Sequence, residues 1–244
     1  MGLEMNVEME MRARRGDSGS LVQRAMDAVK DHIRDQRLRV GDTLPGEAHF
    51  AGELGVSRAV MREAFGALGA LRLIDVGNGR KARVGALDGS AMAAALGHGI
   101  TTAQISVADV WDVRRTIEMR TVVLAAQHRT GDEAARIVAL AEAMAADADD
   151  LAAKTRHDIA FHEAIAIASR NTLFVQIVAS FAPLMEVAVP TAWGTRTTEE
   201  QRVSTIARHR AVARAIAEGD AAAAAAAMSD HFDASIDDIL KANR

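Results

Sequence analysis

The chain has 244 residues, of which 49% are hydrophobic, and its formal net charge is −4. It contains no cysteine, which excludes disulfide bonds and thiolate metal sites and fits the cytoplasmic location that we expect. No apolar run reaches the roughly 18 to 20 residues that a membrane-spanning helix requires, so we expect no membrane association. Residues 1–19 are polar and are predicted to form a disordered leader.

Charge is divided unevenly along the chain. Between Arg12 and Arg83 there are 14 basic and 9 acidic residues, whereas from Val84 onward there are 15 basic and 21 acidic residues. This asymmetry indicates a basic module joined to an acidic one, and a basic module favours nucleic acid as a partner. The alternative is a random scatter of solvated charges.

The segment 55–64 has the pattern of the turn and second helix of a helix-turn-helix. Gly55 suits the positive φ of a tight turn, and Ser57 can cap the helix that follows. Arg58 and Arg62 lie four residues apart and therefore share one face of the first helical turns. In this motif those turns meet the edges of the bases. Taken alone, the pattern would also suit a surface helix with two solvated arginines.

The residues after this helix predict a β-hairpin. Two short runs, 71–76 and 81–84, flank a turn that contains Asn78 and Gly79. A helix-period segment at 20–36 and a short helix before Gly55 precede them. Three helices and a hairpin make a winged helix-turn-helix, which we assign to residues 20–84.

The rest of the chain is predicted to be a linker followed by helices only. Residues 85–104 are rich in Gly, Ala and Ser and are assigned as the linker, and residues 105–244 as an all-helical antiparallel bundle. The fold class is therefore mainly α. The predicted helices cover 106–128, 131–149, 151–169, 172–188, 198–218 and 220–241.

The first half resembles the DNA-binding domain of GntR-family transcription regulators. The likeness rests on Leu44-Pro45-Gly46-Glu47, on Leu54-Gly55-Val56-Ser57-Arg58, on Met61-Arg62-Glu63-Ala64, on Leu68 and on the hairpin glycines. Three features depart from the family pattern: Ala48 stands where the family usually has arginine, Arg72 stands where it usually has glycine, and the segment Lys81-Ala82-Arg83 follows the glycines of the wing, where the family often has threonine and phenylalanine. The operator sequence therefore cannot be transferred from a relative.

The second half resembles the helical ligand-binding domain of the FadR subfamily, the FCD type. The matching residues are Val113-Arg114-Arg115-Thr116-Ile117-Glu118, Leu124-Ala125-Ala126, Asp158 and His162 in the pattern Asp-x3-His, His209 and His231. The two resemblances together imply a homodimeric regulator that binds a double-stranded DNA operator and responds to an effector, and not an enzyme.

The resemblance assigns the DNA-binding residues. Arg58 and Arg62 are expected to contact bases or phosphates. The residues expected to touch the DNA backbone or the minor groove are Ser57, Asn78, Gly79 and Arg80.

Four residues are expected to bind a divalent metal ion. Asp158 and His162 are four residues apart on one helical face, and such a pair by itself is more often a surface ion pair. The FCD resemblance adds His209 and His231 and implies that all four are ligands. Imidazoles and a carboxylate suit zinc, and also nickel or manganese.

Arg114 is expected to bind the carboxylate of a small effector, because the resemblance places an arginine in the ligand pocket and a guanidinium holds carboxylates well. A salt bridge to Glu118, four residues on, is the alternative for Arg114, and Glu118 itself is interpreted as structural. Sugar acids, hydroxy acids and dicarboxylates all fit one arginine and a metal ion.

The function we expect is repression of a catabolic operon, relieved by such an acid. Two alternatives remain open: a purely structural metal with the effector bound elsewhere, and a metal-dependent hydrolase.

Overall fold

A computed structural model describes residues 21–77, 79–146 and 150–242, the last seven of these by their backbone alone. The predicted leader, residues 1–19, lies outside the described residues, and so does Asn78. The chain divides into two compact units, Met1–Ala91 and Met92–Arg244.

The first unit contains three helices and a two-stranded antiparallel sheet, which confirms the predicted winged helix-turn-helix. Val84 pairs with Ile74 and Arg83 with Asp75, and Thr43 adds an isolated bridge to Arg83. The elements are α1 (21–35), α2 (Glu47–Leu54), α3 (Arg58–Ala70), β1 (Ile74–Asp75) and β2 (Arg83–Val84).

One apolar core holds these elements together. Helix α3 contributes one face to it, since Met61, Phe65 and Leu68 are buried, and Phe50 of α2 packs against Phe65 with ring centroids 6.0 Å apart. Burial of side chains of this size stabilises the unit by roughly 1.5 to 3 kcal/mol each. The opposite face of α3 is left to solvent.

Helices are the only regular secondary structure among the described residues of the second unit, so the predicted fold class, mainly α, is confirmed. Its helices are α4 (Ser90–Thr101), α5 (Val107–His128), α6 (Gly131–Ala146), α7 (Leu151–Ala168), α8 (Thr172–Ser180), α9 (Ala182–Gly194), α10 (Glu199–Glu218) and α11 (Ala221–Ala242).

Local sequence sets several of these helix ends. Ser106 and Thr198 form capping boxes with the third residues of α5 and α10, and Gly219 ends α10 in the left-handed region at φ 79°. Because only Gly219 and Asp220 separate α10 from α11, and the two helices pack together, they run antiparallel. Helices α5, α7, α10 and α11 surround a shared apolar core.

The structure differs from the sequence prediction in the segment assigned as a linker. Residues 90–101 form helix α4 inside the predicted linker 85–104. Four of the first six residues of α4 are alanine, which has the highest helix propensity, and the glycines Gly97 and Gly99 that suggested a linker are tolerated within it. The domain boundaries given above remain predictions.

The predicted helix 172–188 is divided in two. Helix α8 ends at Ser180, and α9 starts at Ala182 and continues to Gly194 with an axis bent by 54° from that of α8. Pro183 lies in the first turn of α9, where its missing N–H costs nothing, but its ring would clash within a continuous helix. A second proline, Pro190, lies inside α9.

Among the described helices, none alone has the length and apolar character to cross a bilayer. The bent pair α8 and α9 passes the length and composition test only when its two helices are taken together.

Replacement of Gly85 by alanine is expected to destabilise the first unit. A Cβ at this position would lie 2.4 Å from the carbonyl oxygen of Arg72, so the backbone must shift, at a cost of roughly 1 to 3 kcal/mol. Hydrogen exchange of the α3 amides should become faster. Gly66→Ala is the control, because its Cβ would meet nothing within 4 Å and should leave α3 unchanged or more stable. Equal protection in both variants would contradict the predicted clash.

Candidate metal centre and nucleic-acid interface

The first turn of α3 is built as the sequence predicts. Gly55 adopts the left-handed conformation at φ 65° and ends α2, and Ser57 caps α3 by accepting a hydrogen bond from the N–H of Val60. Arg58 is exposed, and the Arg62 side chain is 78% exposed, with its Nε 3.7 Å from Glu47 Oε2. The helix therefore presents two arginines to solvent on the face opposite its core.

The wing places further basic residues near the turn between β1 and β2. Gly79 has a positive φ of 72°, and Arg80 and Lys81 are exposed. Arg83 instead donates from Nη1 to the carbonyl of Gly41 at 2.7 Å, so it fastens the base of the wing. Asn78, also expected to contact DNA, lies outside the described residues.

In the second unit the structure brings together the four residues expected to bind metal. Asp158 and His162 lie on α7, His209 on α10 and His231 on α11, and all four are buried. One ligand nitrogen from each of the three histidines lies within 4.8 Å of the other two. We call His162, His209 and His231 the histidine triad.

His162 is oriented by a residue that sequence reasoning interpreted only as structural. Its Nδ1 donates a hydrogen bond to Oε2 of Glu118, which is 1% exposed. The proton on Nδ1 leaves a lone pair on Nε2, and this buried atom has no hydrogen-bond partner among the described residues. A carboxylate behind the imidazole is the usual outer partner of a metal-binding histidine.

His209 has a similar arrangement. Its Nδ1 donates to the carbonyl of Thr205 at 2.9 Å, and its Nε2 lies 3.0 Å from Oδ1 of Asp158. In the neutral ring Nε2 is then an acceptor that faces another acceptor. A proton or a cation is required between these two atoms for the contact to be favourable.

The two buried carboxyl groups beside the triad, those of Asp158 and Glu118, are kept ionised by close partners. Burial opposes ionisation of Asp158, but the contact with His209 and the positive charge of Arg114 outweigh it and hold the pKa of this carboxyl below its ordinary value. Burial likewise opposes ionisation of Glu118, and the charge of Arg114 together with the hydrogen bond from His162 outweighs it and lowers the pKa. Both groups are therefore carboxylates at neutral pH.

His231 is held in its neutral form. Burial lowers its pKa well below the ordinary 6.5, and the nearby rings of His209 and His162 lower it further. Neutral imidazole is the form in which histidine binds a metal ion.

The donor set fits a divalent ion such as zinc. The orphaned Nε2 of His162, the neutral ring of His231 and the facing pair of His209 and Asp158 supply nitrogen and oxygen ligands of the kind that zinc takes. The three histidines thus lie close enough to share one ion, and Asp158 adjoins them through its contact with His209 and lines the same cavity.

A small cavity of about 30 Å³ adjoins the triad. Its volume matches that of one or two water-sized groups. Arg114 lines it, and the structure shows that this residue also makes the alternative contact, with Nε 2.5 Å from Glu118 Oε1. Arg114 therefore belongs to the cavity wall and to the Glu118 ion pair at once.

Three cavity residues were missed by sequence reasoning. Trp111, Trp193 and Arg196 all line the cavity, and none of them is among the expected site residues. Arg196 and Lys154 both lie over the Trp193 ring, at 4.8 and 4.3 Å from its centroid. The spacing Trp111-x2-Arg114 could have indicated Trp111, because residues three apart share a helical face. No signal in the sequence marked Trp193 or Arg196.

Without divalent metal, the melting temperature should fall as the pH is lowered from about 7.5 to about 5.5. Below 6.5 the unfolded His231 takes up a proton that the folded residue does not, so the folded state loses stability as the pH falls. His231→Asn should reduce this dependence, whereas replacement of the exposed His98 by Asn should not. Equal pH profiles for the wild type and His231→Asn would contradict the assignment.

Comparison with known families matches both units. The profile described as "Bacterial regulatory proteins, gntR family" matches residues 21–84, and the profile of the FCD domain matches residues 109–234. The second match covers more than half of the chain and includes all four residues expected to bind metal.

Three curated relatives are transcription regulators by name. The HTH-type transcriptional regulator LutR of Bacillus subtilis (strain 168) is 30% identical over 214 residues, which cover 85% of this chain and 95% of LutR. The Glc operon transcriptional activator of Escherichia coli (strain K12) is 31% identical over 65% of each chain. The HTH-type transcriptional repressor NanR of Salmonella newport (strain SL254) is 26% identical over 84% of this chain and 80% of NanR.

A solved structure shows the same fold. Streptococcus agalactiae GntR superposes with a TM-score of 0.65 at 23% identity, and the match covers 87% of this chain and 97% of that protein. These domains and relatives are transcription regulators and not enzymes. The chain therefore belongs to the gntR family of bacterial regulatory proteins, with an FCD domain in its second half.

Proposed function

We propose that this regulator is a homodimeric repressor, and that a small organic or sugar acid bound beside the histidine triad releases it from its operator. The observation that carries this proposal is the buried Nε2 of His162, which has no partner among the described residues and lies among two further histidines. A repressor that meets DNA and a metabolite would act in the cytoplasm. The named relatives include a repressor and an activator, and we favour repression.

Operator recognition is assigned to α3 and the wing. Arg58 and Arg62, both exposed, reach base edges in the major groove, where an arginine can donate two parallel hydrogen bonds to guanine. Ser57, Asn78, Gly79 and Arg80 contact the DNA backbone or the minor groove. Two copies of this surface in a homodimer would match two half-sites of the operator.

Effector recognition is assigned first to Arg114. Its Nε is bound to Glu118, but its Nη1 contacts the Sδ of Met185, and a thioether is a weak acceptor. A carboxylate is a much stronger partner for a guanidinium, so an acid that displaces the thioether gains a charge-assisted hydrogen bond. The buried site strengthens this bond, because little water competes for it.

The divalent ion would be held by Asp158, His162, His209 and His231. Zinc is the first choice for this ion, and nickel or manganese are the others. Bound there, it would supply positive charge and open coordination positions for an anionic ligand. Glu118 binds both the ring of His162 and the guanidinium of Arg114, and both residues line the same cavity.

The effector acts by shifting a conformational equilibrium. The protein exists in states of high and low operator affinity, and the acid binds the low-affinity state more tightly. Effector and operator then weaken each other's binding by the same factor. The triad lies on α7, α10 and α11, and Arg114 and Glu118 lie on α5. A ligand bound between these groups therefore contacts four helices and biases how they pack.

The second candidate role for the metal site is purely structural, with the effector bound elsewhere. It predicts that removal of the metal lowers the melting temperature but leaves the affinity for the acid unchanged. The partner exchange available to Arg114, from thioether to carboxylate, favours the effector role.

Arg58→Ala should weaken operator binding by roughly tenfold or more, since a bidentate contact to guanine is worth about 1 to 3 kcal/mol. A fluorescence-anisotropy titration with the promoter duplex measures this loss. The control is Arg34→Ala on α1, which removes the same charge from an arginine paired with Asp31 and Asp35. If both variants bind the promoter equally, Arg58 does not contact DNA.

His162→Ala should abolish tight zinc binding and, with it, the release of DNA by acids. Inductively coupled plasma spectrometry should find one zinc per wild-type chain and far less in the variant. His157→Ala, on the same helix but outside the triad, should keep its metal. Full zinc occupancy in His162→Ala would exclude the triad as the metal site.

A further inference from the structure

A second cavity, almost wholly apolar in its lining, adjoins the one at the triad. It has a volume of about 260 Å³, and its walls come from α4, α5 and α9. Aliphatic side chains form most of the lining, among them Val107, Val110, Leu184 and Val187, with Thr191 as a polar member. An apolar cavity of about 150 Å³ is large enough to bind benzene, so this one has room for a chain of several carbons.

The two cavities share walls. Trp111 and Ala188 line both of them. Met185, whose sulfur contacts the Arg114 guanidinium, lines the apolar cavity, while Arg114 lines the cavity at the triad. A molecule whose charged end meets Arg114 therefore has the apolar cavity next to it.

An unsatisfied donor lies at this junction. Trp111 is 6% exposed, and its indole Nε1 has no hydrogen-bond partner among the described residues. A buried N–H normally has a partner, and the exceptions require an explanation. An oxygen of a ligand that lies across the shared wall would supply this partner.

The size of the cavity at the triad limits what fits there. At about 30 Å³ it accepts a carboxyl group but not the rest of a six-carbon acid. The remaining carbons must extend beyond it, and hydroxyl groups placed against the aliphatic walls would lose their hydrogen bonds to water without compensation.

We propose that the effector is a carboxylic acid with an apolar tail of several carbons, and not a polyhydroxylated sugar acid. Its carboxylate lies between the triad and Arg114, Trp111 donates to one of its oxygens, and its tail fills the apolar cavity. This inference rests on the proposed function and narrows it to one chemical class of ligand.

Two six-carbon acids test the tail directly. Gluconate and 2-hydroxyhexanoate share the same 2-hydroxy acid head and differ only in the hydroxyls of the tail, and lactate carries that head with a tail of one methyl group. Calorimetric titration of the zinc-loaded full-length protein should show 2-hydroxyhexanoate binding at least tenfold more tightly than either gluconate or lactate. Gluconate binding as tightly as 2-hydroxyhexanoate would overturn the proposal.

A variant at the mouth of the apolar cavity tests the position of the tail. Val187 is 70% exposed, so Val187→Asp should fold, and it should weaken 2-hydroxyhexanoate binding about tenfold with little effect on lactate. The control is Leu173→Asp on α8, a similar change at a residue that is 62% exposed and does not line the cavity.

The substitution Trp111→Phe tests the proposed donor, because it keeps an aromatic side chain but removes the indole N–H. It should lower the affinity for every acid that binds, several-fold and by a similar factor for each.

The outcomes separate this inference from the proposed function. If lactate binds in a metal-dependent manner and 2-hydroxyhexanoate binds no better, the apolar tail is wrong and the proposed function stands. If no acid binds to the zinc-loaded protein, the proposed function itself fails. If Val187→Asp alters the sedimentation mass and leaves acid binding unchanged, the cavity is a contact between two copies of the chain, and the proposal is overturned.

Discussion

The buried carboxylate of Glu118 is the constraint on which the arrangement of the second unit depends. It accepts hydrogen bonds from Arg114 on its own helix and from His162 on α7. A charge enclosed by protein is tolerated only where partners replace the lost water, and removal of one partner costs roughly 3 to 5 kcal/mol. Helices α5 and α7 are thus fixed by more than apolar packing, and the same contact leaves the Nε2 of His162 available as a ligand atom.

The rest of the cluster follows the same rule. His209 is held from behind by the carbonyl of Thr205, and its other nitrogen faces Asp158. The Phe161 ring lies 5.3 Å from that of His209, and Phe232 lies 5.5 Å from His231, so aromatic side chains exclude water from the ligand groups. This exclusion makes each charge interaction stronger, and it also makes an unpartnered group costly. The free nitrogen of His162 and the free indole N–H of Trp111 are unpartnered groups of this kind.

Much of the fold could be predicted from the sequence because the signals were local. Gly55 and Ser57 each act within a few residues, through a left-handed turn and a side-chain cap, and the structure shows both. The break before α9 was missed although Pro183 was visible, because apolar periodicity continued across it. Helix α4 was missed because glycine and serine were given more weight than a run of alanines.

By itself, the sequence determined the two modules, the exposed arginines of α3 and the four candidate metal ligands, because spacing along a helix or a family motif encodes them. Only the tertiary structure decided that Glu118 orients His162, that Trp193 and Arg196 reach the cavity, and that an apolar cavity adjoins it. These contacts join residues 44 or more positions apart, or helices whose packing depends on the whole core. A sequence pattern reports which faces of a helix are apolar, but the neighbour that covers each face is set by the competition among all of them for burial.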